Sequence, residues 1–183
     1  MKKCRNCKQP FEPRFNTLEK WCWNPECKTI EAMEKLASMK KNQSREWEQQ
    51  RKRIKNSLKT TSNWKTELQT IFNTFIRLRD RNQPCISCGC KLPEKYDAGH
   101  FHSVGSSPSL RFDEQNVHAQ CVHCNRDKHG NLHEYRIGLI QRVGIDVVNA
   151  LEHNRHVPLR LNTPEIMEMI NEYKAKIKKM KNN

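Results

Sequence analysis

No stretch of the 183 residues approaches the roughly 20 consecutive apolar residues of a membrane-spanning helix. The opening Met1-Lys2-Lys3 runs straight into Cys4, without the apolar core of a secretion signal. Both absences point to a cytoplasmic chain in a reducing compartment, with no membrane among its partners. There are no internal repeats beyond paired cysteines, so the fold is not a repeat array. Acid is scarce in two places. Residues 35–60 carry nine Lys/Arg against two Glu, and 174–181 carry five Lys and no acid. These runs account for much of a net charge of +14, a field that favours polyanions, nucleic acid before an anionic membrane surface. Either run taken alone also reads as a plain solvated face.

Cysteine is what the chain has in quantity. Of nine, eight fall into sets at knuckle-like spacing. In a reducing compartment such clusters signify metal rather than a disulfide framework. Cys85-x-x-Cys88 and Cys121-x-x-Cys124 are two knuckles, each placing two sulfurs on one tetrahedral face, and together they close a structural zinc site. The gap between them is 32 residues, longer than the roughly 15–20 of a simple zinc module. The insert is therefore read as the working part. Cys4, Cys7, Cys22 and Cys27 form a second set, in a module too small to fold without metal. Trp21 and Trp23 flank Cys22 as packing for that site, with base stacking as the less favoured reading. Cys90 is left without a partner.

In chain order, the N-terminal zinc module is expected over 1–30 and a basic linker helix over 31–61. The heptad stripe of that helix (Met33, Ala37, Trp47, Ile54, Leu58) is interrupted by Lys40, Ser44 and Arg51, too polar for a coiled coil. It reads equally as a solvated linker or as a helix lying along phosphates. The main domain is expected over 62–183. Trp64, Leu68, Ile71, Phe72, Phe75 and Leu78 predict an amphipathic helix over 63–81, ended by Asn82 and Pro84. Tyr96–His102 and Asn116–Gln120 read as strands. Asn131, with Glu134 reaching back, opens a helix that Gly144 ends. Asp146 caps a shorter one. A last helix starts at Thr163-Pro164-Glu165 with Ile166, Met169, Ile170, Tyr173, Ile177 and Met180 as its stripe. The fold class is α+β, mostly α.

Strand with His100, loop, Asn116, second strand, knuckle with Asn125 and helix is the layout of a ββα-metal nuclease, and the three residues resemble an HNH motif in its H-N-N form. The full pattern, DAGH, RFDEQN, CVHCN and GN, resembles the NinG/Rap family of recombination endonucleases from lambdoid phages. The likeness extends to the N-terminal cysteine module, the basic helix and the phrase FIRLRDRNQPCISCG.

That resemblance implies an endonuclease cutting branched DNA such as Holliday junctions and D-loops, working in the host cytoplasm. It implies that Asn116 fixes the loop and orients His100. The chemistry is independently reasonable. An imidazole with a pKa near 6.5 can take a proton from water at neutral pH, and a Mg²⁺ or Mn²⁺ ion can carry phosphate charge and bind the leaving 3′-oxygen. Asn125 and an acid near His100 are the expected ligands. Asp97 is the candidate acid, but on a regular strand residues 97 and 100 face opposite ways, so a bulge at Gly99 is required. His102, His118, His123 and His129 are alternatives. Lys52, Arg53, Lys55, Arg111 and Lys128 are the expected phosphate contacts. Symmetric junction cutting favours a homodimer, though no stripe specifies one. The rival is a non-catalytic zinc-binding regulator or adaptor on DNA or RNA, which leaves His100, Asn116 and Asn125 without a shared task.

Overall fold

The computed structural model describes residues 1–182 and falls into two compact units, Met1–Leu58 and Lys59–Asn183. In the first, β1 (Lys2–Lys3) pairs antiparallel with β2 (Pro10–Phe11), and the long helix α1 spans Pro25–Ser57. The helix starts earlier than the sequence pattern suggested. Asn24 caps it by accepting from the Glu26 amide at 2.9 Å, and Pro25, whose missing N–H costs nothing there, takes the first turn. Cys27 thereby sits on the first turn of α1, and the helix is an extension of the cysteine module. A small core of Cys4, Trp21 and Cys27, with Phe11 and Cys22 against it, is all this unit buries. Beyond Cys27, α1 buries no residue.

The second unit begins with α2 (Thr61–Arg79), opened by a reciprocal capping box between Thr60 and Asn63. Its apolar face packs on α5 (Thr163–Asn182): Trp64, Leu68, Phe72, Phe75 and Ile76 meet Ile166, Ile170 and Tyr173. Ile76 is fully buried, whereas Ile71 and Leu78, taken for core in the sequence pattern, are only half-buried. A reciprocal pair, Glu165 N–H to Asn162 and Asn162 N–H to Glu165, opens α5.

Between these helices lie β3 (Tyr96–His100) and β4 (Val117–Cys121), antiparallel in the register Asp97↔Gln120, Gly99↔His118, His100↔Val117. β3 ends two residues earlier than read from sequence, and β4 keeps the expected length but lies one residue further along. Ala98 and Val117 face the α2–α5 core. A π-helical turn (His123–Asp127) follows, then α3 (Leu132–Val143) and α4 (Ile145–Asn154). A second cluster, Ile86, Phe101, Leu110, Tyr135, Leu139, Val148 and Leu151, packs α3 and α4 under the loop that leaves β3.

Two caps differ from expectation. Asn131 adopts a left-handed conformation (φ 43°), caps nothing, and turns its amide to Cys124 Sγ at 3.7 Å. Asp146 lies inside the first turn of α4, after Gly144 (φ 88°) has turned the chain. Leu132, the first residue of α3, is exposed, whereas Tyr135 and Leu139 are fully buried. The result is a mostly helical α+β fold with two small two-stranded sheets.

Candidate functional site

The two cysteine sets are brought together as their spacing demands. In each, Cys4/Cys7/Cys22/Cys27 and Cys85/Cys88/Cys121/Cys124, the four sulfurs lie within 4.8 Å of one another. A tetrahedral ion with Zn–S bonds near 2.3 Å separates its sulfurs by roughly 3.8 Å. Cys7 and Cys22 are 3.7 Å apart, Cys88 and Cys121 3.9 Å. Backbone N–H groups of Cys22, Cys121 and Cys124 point at Cys4, Cys85 and Cys121 sulfurs, the arrangement that supports thiolates. Both sets can hold zinc. Cys90 is not remote from them: its sulfur is 3.2 Å from that of Cys88.

Between the knuckles, His100 ends β3 and lines an open cleft of about 430 Å³ with Asn73, His102, Ser103, Asn125 and His129. His100 Nε2 lies 3.1 Å from the Arg111 carbonyl. A carbonyl can only accept, so Nε2 carries the proton and Nδ1 keeps its lone pair. Burial lowers the pKa of the ring, outweighing that hydrogen bond, so the imidazole is neutral at pH 7.

Asn116 is fully buried and staples the loop. Its Oδ1 accepts from His102 N–H at 2.8 Å, and its Nδ2 donates to the carbonyls of His102 and Leu110, both at 3.0 Å. None of these hydrogen bonds goes to His100. Asn116 holds Leu110, whose neighbour Arg111 supplies the carbonyl that orients the imidazole, so orientation is relayed rather than direct.

Asp97 is placed otherwise than a ligand role requires. The β3–β4 register is unbroken, with no bulge at Gly99, so Asp97 and His100 face opposite sides. Gly99 is needed for packing: a Cβ there would sit 2.1 Å from Gln120 Oε1. The Asp97 carboxylate is taken by Arg126, through two bonds of 2.8 and 2.9 Å, and by Asn125 Nδ2 at 2.9 Å. These partners, Arg126 foremost, lower its pKa. Asp97 thus anchors Asn125 from behind, leaving Asn125 Oδ1 as an acceptor. No carboxylate of the described residues lines the cleft. Among the described residues, the groups of three or more His, Cys, Asp or Glu at ligand distance are the two cysteine sets. The expected acidic Mg²⁺ or Mn²⁺ site is not assembled.

The other histidines separate as well. His118 is buried, with Nδ1 3.0 Å from an Arg79 nitrogen and Nε2 3.1 Å from the Gln115 carbonyl, so neither nitrogen is free. His123 pairs with Asp127 on the surface. His102 Nε2 is buried without a hydrogen-bond partner.

A family model for the bacteriophage lambda NinG protein matches residues 1–183. The NinG protein of Salmonella phage P22 is 39% identical over 197 residues, covering 100% of this chain and 95% of that one. Those of Escherichia phage lambda and Enterobacteria phage H19B are 38% and 40% identical, over 100% and 85% of this chain and 94% and 83% of theirs. The chain belongs to the NinG family. No solved structure matches it.

In this NinG-family chain, sequence reasoning missed a buried polar network behind the hairpin. Asp80 is bound by Arg79 at 2.7 and 2.9 Å and accepts the Ala119 amide at 2.9 Å. Burial alone would raise its pKa, but His118, Arg79 and that amide outweigh it and hold the carboxyl well below the usual range. Tyr135 donates to the Gly99 carbonyl at 2.8 Å and accepts from His118 N–H at 3.1 Å. Gln120 Nε2 joins Ser87 of the first knuckle to the Gly130 carbonyl after the second. The only signal in the sequence was polar residues inside strand and helix ends. Of the expected phosphate-binding residues, Lys52, Arg53, Lys55 and Lys128 are exposed. The Arg111 guanidinium instead binds Gln69 at 2.7 Å. No described helix is long and apolar enough to cross a membrane.

Proposed function

We propose that this NinG-family protein is a metal-dependent DNA endonuclease with a ββα-metal core, acting on branched recombination intermediates in the cytoplasm of a phage-infected host. One observation carries the reading: a neutral His100, its Nε2–H tied to the Arg111 carbonyl and its Nδ1 unprotonated, shares an open cleft with Asn125. In this mechanism His100 Nδ1 removes a proton from water, the water oxygen attacks phosphorus, and the bond to the 3′-oxygen breaks. Asn116 holds the loop so that the imidazole keeps one orientation. The donors lining the cleft for a cation are Asn125 Oδ1 and the rings of His102 and His129. A Mg²⁺ or Mn²⁺ ion there would neutralise charge on the phosphate and the leaving oxygen. A donor set without carboxylate favours Mn²⁺ over Mg²⁺. Each cysteine set holds one structural zinc. Paired cuts in a junction call for two copies, hence a homodimer on branched DNA.

The absence of a free carboxylate from the cleft favours a second reading, a non-catalytic zinc protein that holds DNA or RNA. A nicking assay on a Holliday junction and a D-loop, with Mn²⁺, with Mg²⁺ and with EDTA, separates the two. The nuclease reading expects Mn²⁺-dependent nicks that EDTA abolishes. Binding without nicks under every metal condition leaves the adaptor.

A further inference from the structure

The first unit carries an aromatic surface that its own core does not use. Trp21, at 7% exposed, packs against Cys4 and Cys27, as the sequence suggested. Phe15 and Leu18 do the opposite and stand 79% and 80% exposed on the loop after β2. Trp23, 38% exposed, lies edge-on to Phe15 with ring centroids 5.3 Å apart. This presentation is built. Glu19 turns back and accepts the amides of Arg14 and Phe15 at 2.9 and 3.1 Å, hydrogen bonds that lower its pKa. Asn16 closes the turn by accepting from Leu18 N–H at 2.8 Å.

Positive charge surrounds these rings. Arg14 and Lys28 stand over Trp23 at 5.2 and 4.4 Å from its centroid, a cation–π arrangement. An open groove of about 760 Å³ runs from Phe15, Leu18 and Trp23 along α1, lined further by Arg5, Lys20 and Lys35. The acids in it are already engaged: Glu31 by Lys28 and Lys35, Glu34 by Arg5, Glu19 by the amides. Residues 1–30 hold seven Lys/Arg against three Glu. A ligand for this groove must offer flat apolar faces and regularly spaced negative charge.

We infer that the N-terminal module binds single-stranded DNA, with an unpaired base stacked on Phe15 against the Leu18 and Trp23 side chains and backbone phosphates on Arg14, Lys20 and Lys28. Base faces are reachable only when the strands are unstacked, so duplex DNA cannot use the platform. The site is independent of the nuclease reading of His100, and its test uses no cleavage.

The zinc-loaded full-length protein, without added Mg²⁺ or Mn²⁺, is titrated into a labelled oligothymidylate and a labelled duplex, with fluorescence anisotropy as readout. Stacking is worth enough that Phe15→Ala should weaken oligothymidylate binding by about 5- to 100-fold. Duplex affinity and zinc content should stay unchanged, since an exposed ring carries no part of the fold. Phe15→Tyr, which keeps the ring, should bind as the wild type does. The inference is overturned if Phe15→Ala binds oligothymidylate normally, if duplex binding falls in parallel, or if Phe15→Tyr fails like Phe15→Ala. Tighter binding of oligouridylate, or capture by phosphatidylserine vesicles in place of the oligothymidylate, overturns it in favour of RNA or a membrane surface.

Discussion

His100 owes its state to two influences of different kinds: burial, which disfavours the charged ring, and a carbonyl that selects the tautomer. His100→Ala should therefore lower nicking by about 10²–10⁴-fold while zinc content and DNA affinity hold, because general-base removal acts on the chemical step. A variant that nicks at the wild-type rate would remove His100 from the mechanism. The pH dependence follows from the direction of the shift. A base works while neutral, and a lowered pKa keeps it neutral below the ordinary value near 6.5. The acid limb of the rate should lie below pH 6.5, with a flat profile from there to neutrality. A limb centred above pH 7 would contradict it. The stability sign is the same: below about pH 6.5 the unfolded chain takes a proton that the native ring refuses, so stability falls as pH falls. At Asp97 the residue type was legible but its partner was not, since Arg126 is distant in sequence and adjacent only once the hairpin meets the π-helical turn.

The seating of α3 on the first knuckle is decided by a missing side chain. A Cβ on Gly138 would lie 1.8 Å from the backbone carbonyl oxygen of Ile86, which holds its place through Ile86 N–H to the Ala119 carbonyl at 3.1 Å. Backbone cannot give way as a flexible side chain can. Gly138→Ala should gain the ~1 kcal/mol that alanine offers inside a helix and lose about 2–3 kcal/mol to overpacking against rigid backbone, for a net loss of about 1–2 kcal/mol. Thermal unfolding checks this, and a raised Tm would mean α3 can shift freely. Helix identities were readable from apolar periodicity, as in α2 and α5. Caps were not. Asn131 has the right residue type for an N-cap, but the sulfur of Cys124 competes for its amide, and its backbone is left-handed.

At the scale of the whole chain, metal and charge dominate. Native mass spectrometry should find two zinc ions per chain, and Cys121→Ser should lose one together with the folded second unit, because a broken thiolate set forfeits most of the metal's folding energy. Active protein with a single zinc would defeat this. Neutralising Lys52, Arg53 and Lys55, all exposed on α1, should weaken binding to any DNA. It should also flatten the dependence of log K on log salt, by roughly 0.9 for each duplex phosphate that no longer meets a cation. An unchanged slope would leave α1 as a spacer. The domain plan read from sequence placed a linker helix between two modules. In the structure that helix starts within the N-terminal cysteine set, at Pro25.

By itself the sequence determined what depends on local spacing and residue type. It assigned the eight cysteines to two sets, located the amphipathic helices, and ordered His100, Asn116 and Asn125 along the chain. Knuckle spacing and helical period are short-range properties that no distant segment needs to confirm. Tertiary structure alone decided which side chains meet. It tied Asp97 to Arg126, consumed both nitrogens of His118, made the Arg111 carbonyl the partner of His100, and left Phe15 exposed. Each depends on strand register or on packing between segments far apart in the chain. A shift of one residue in register would reverse every face, and no local pattern around Asp97 or His118 records which partner waits across the sheet.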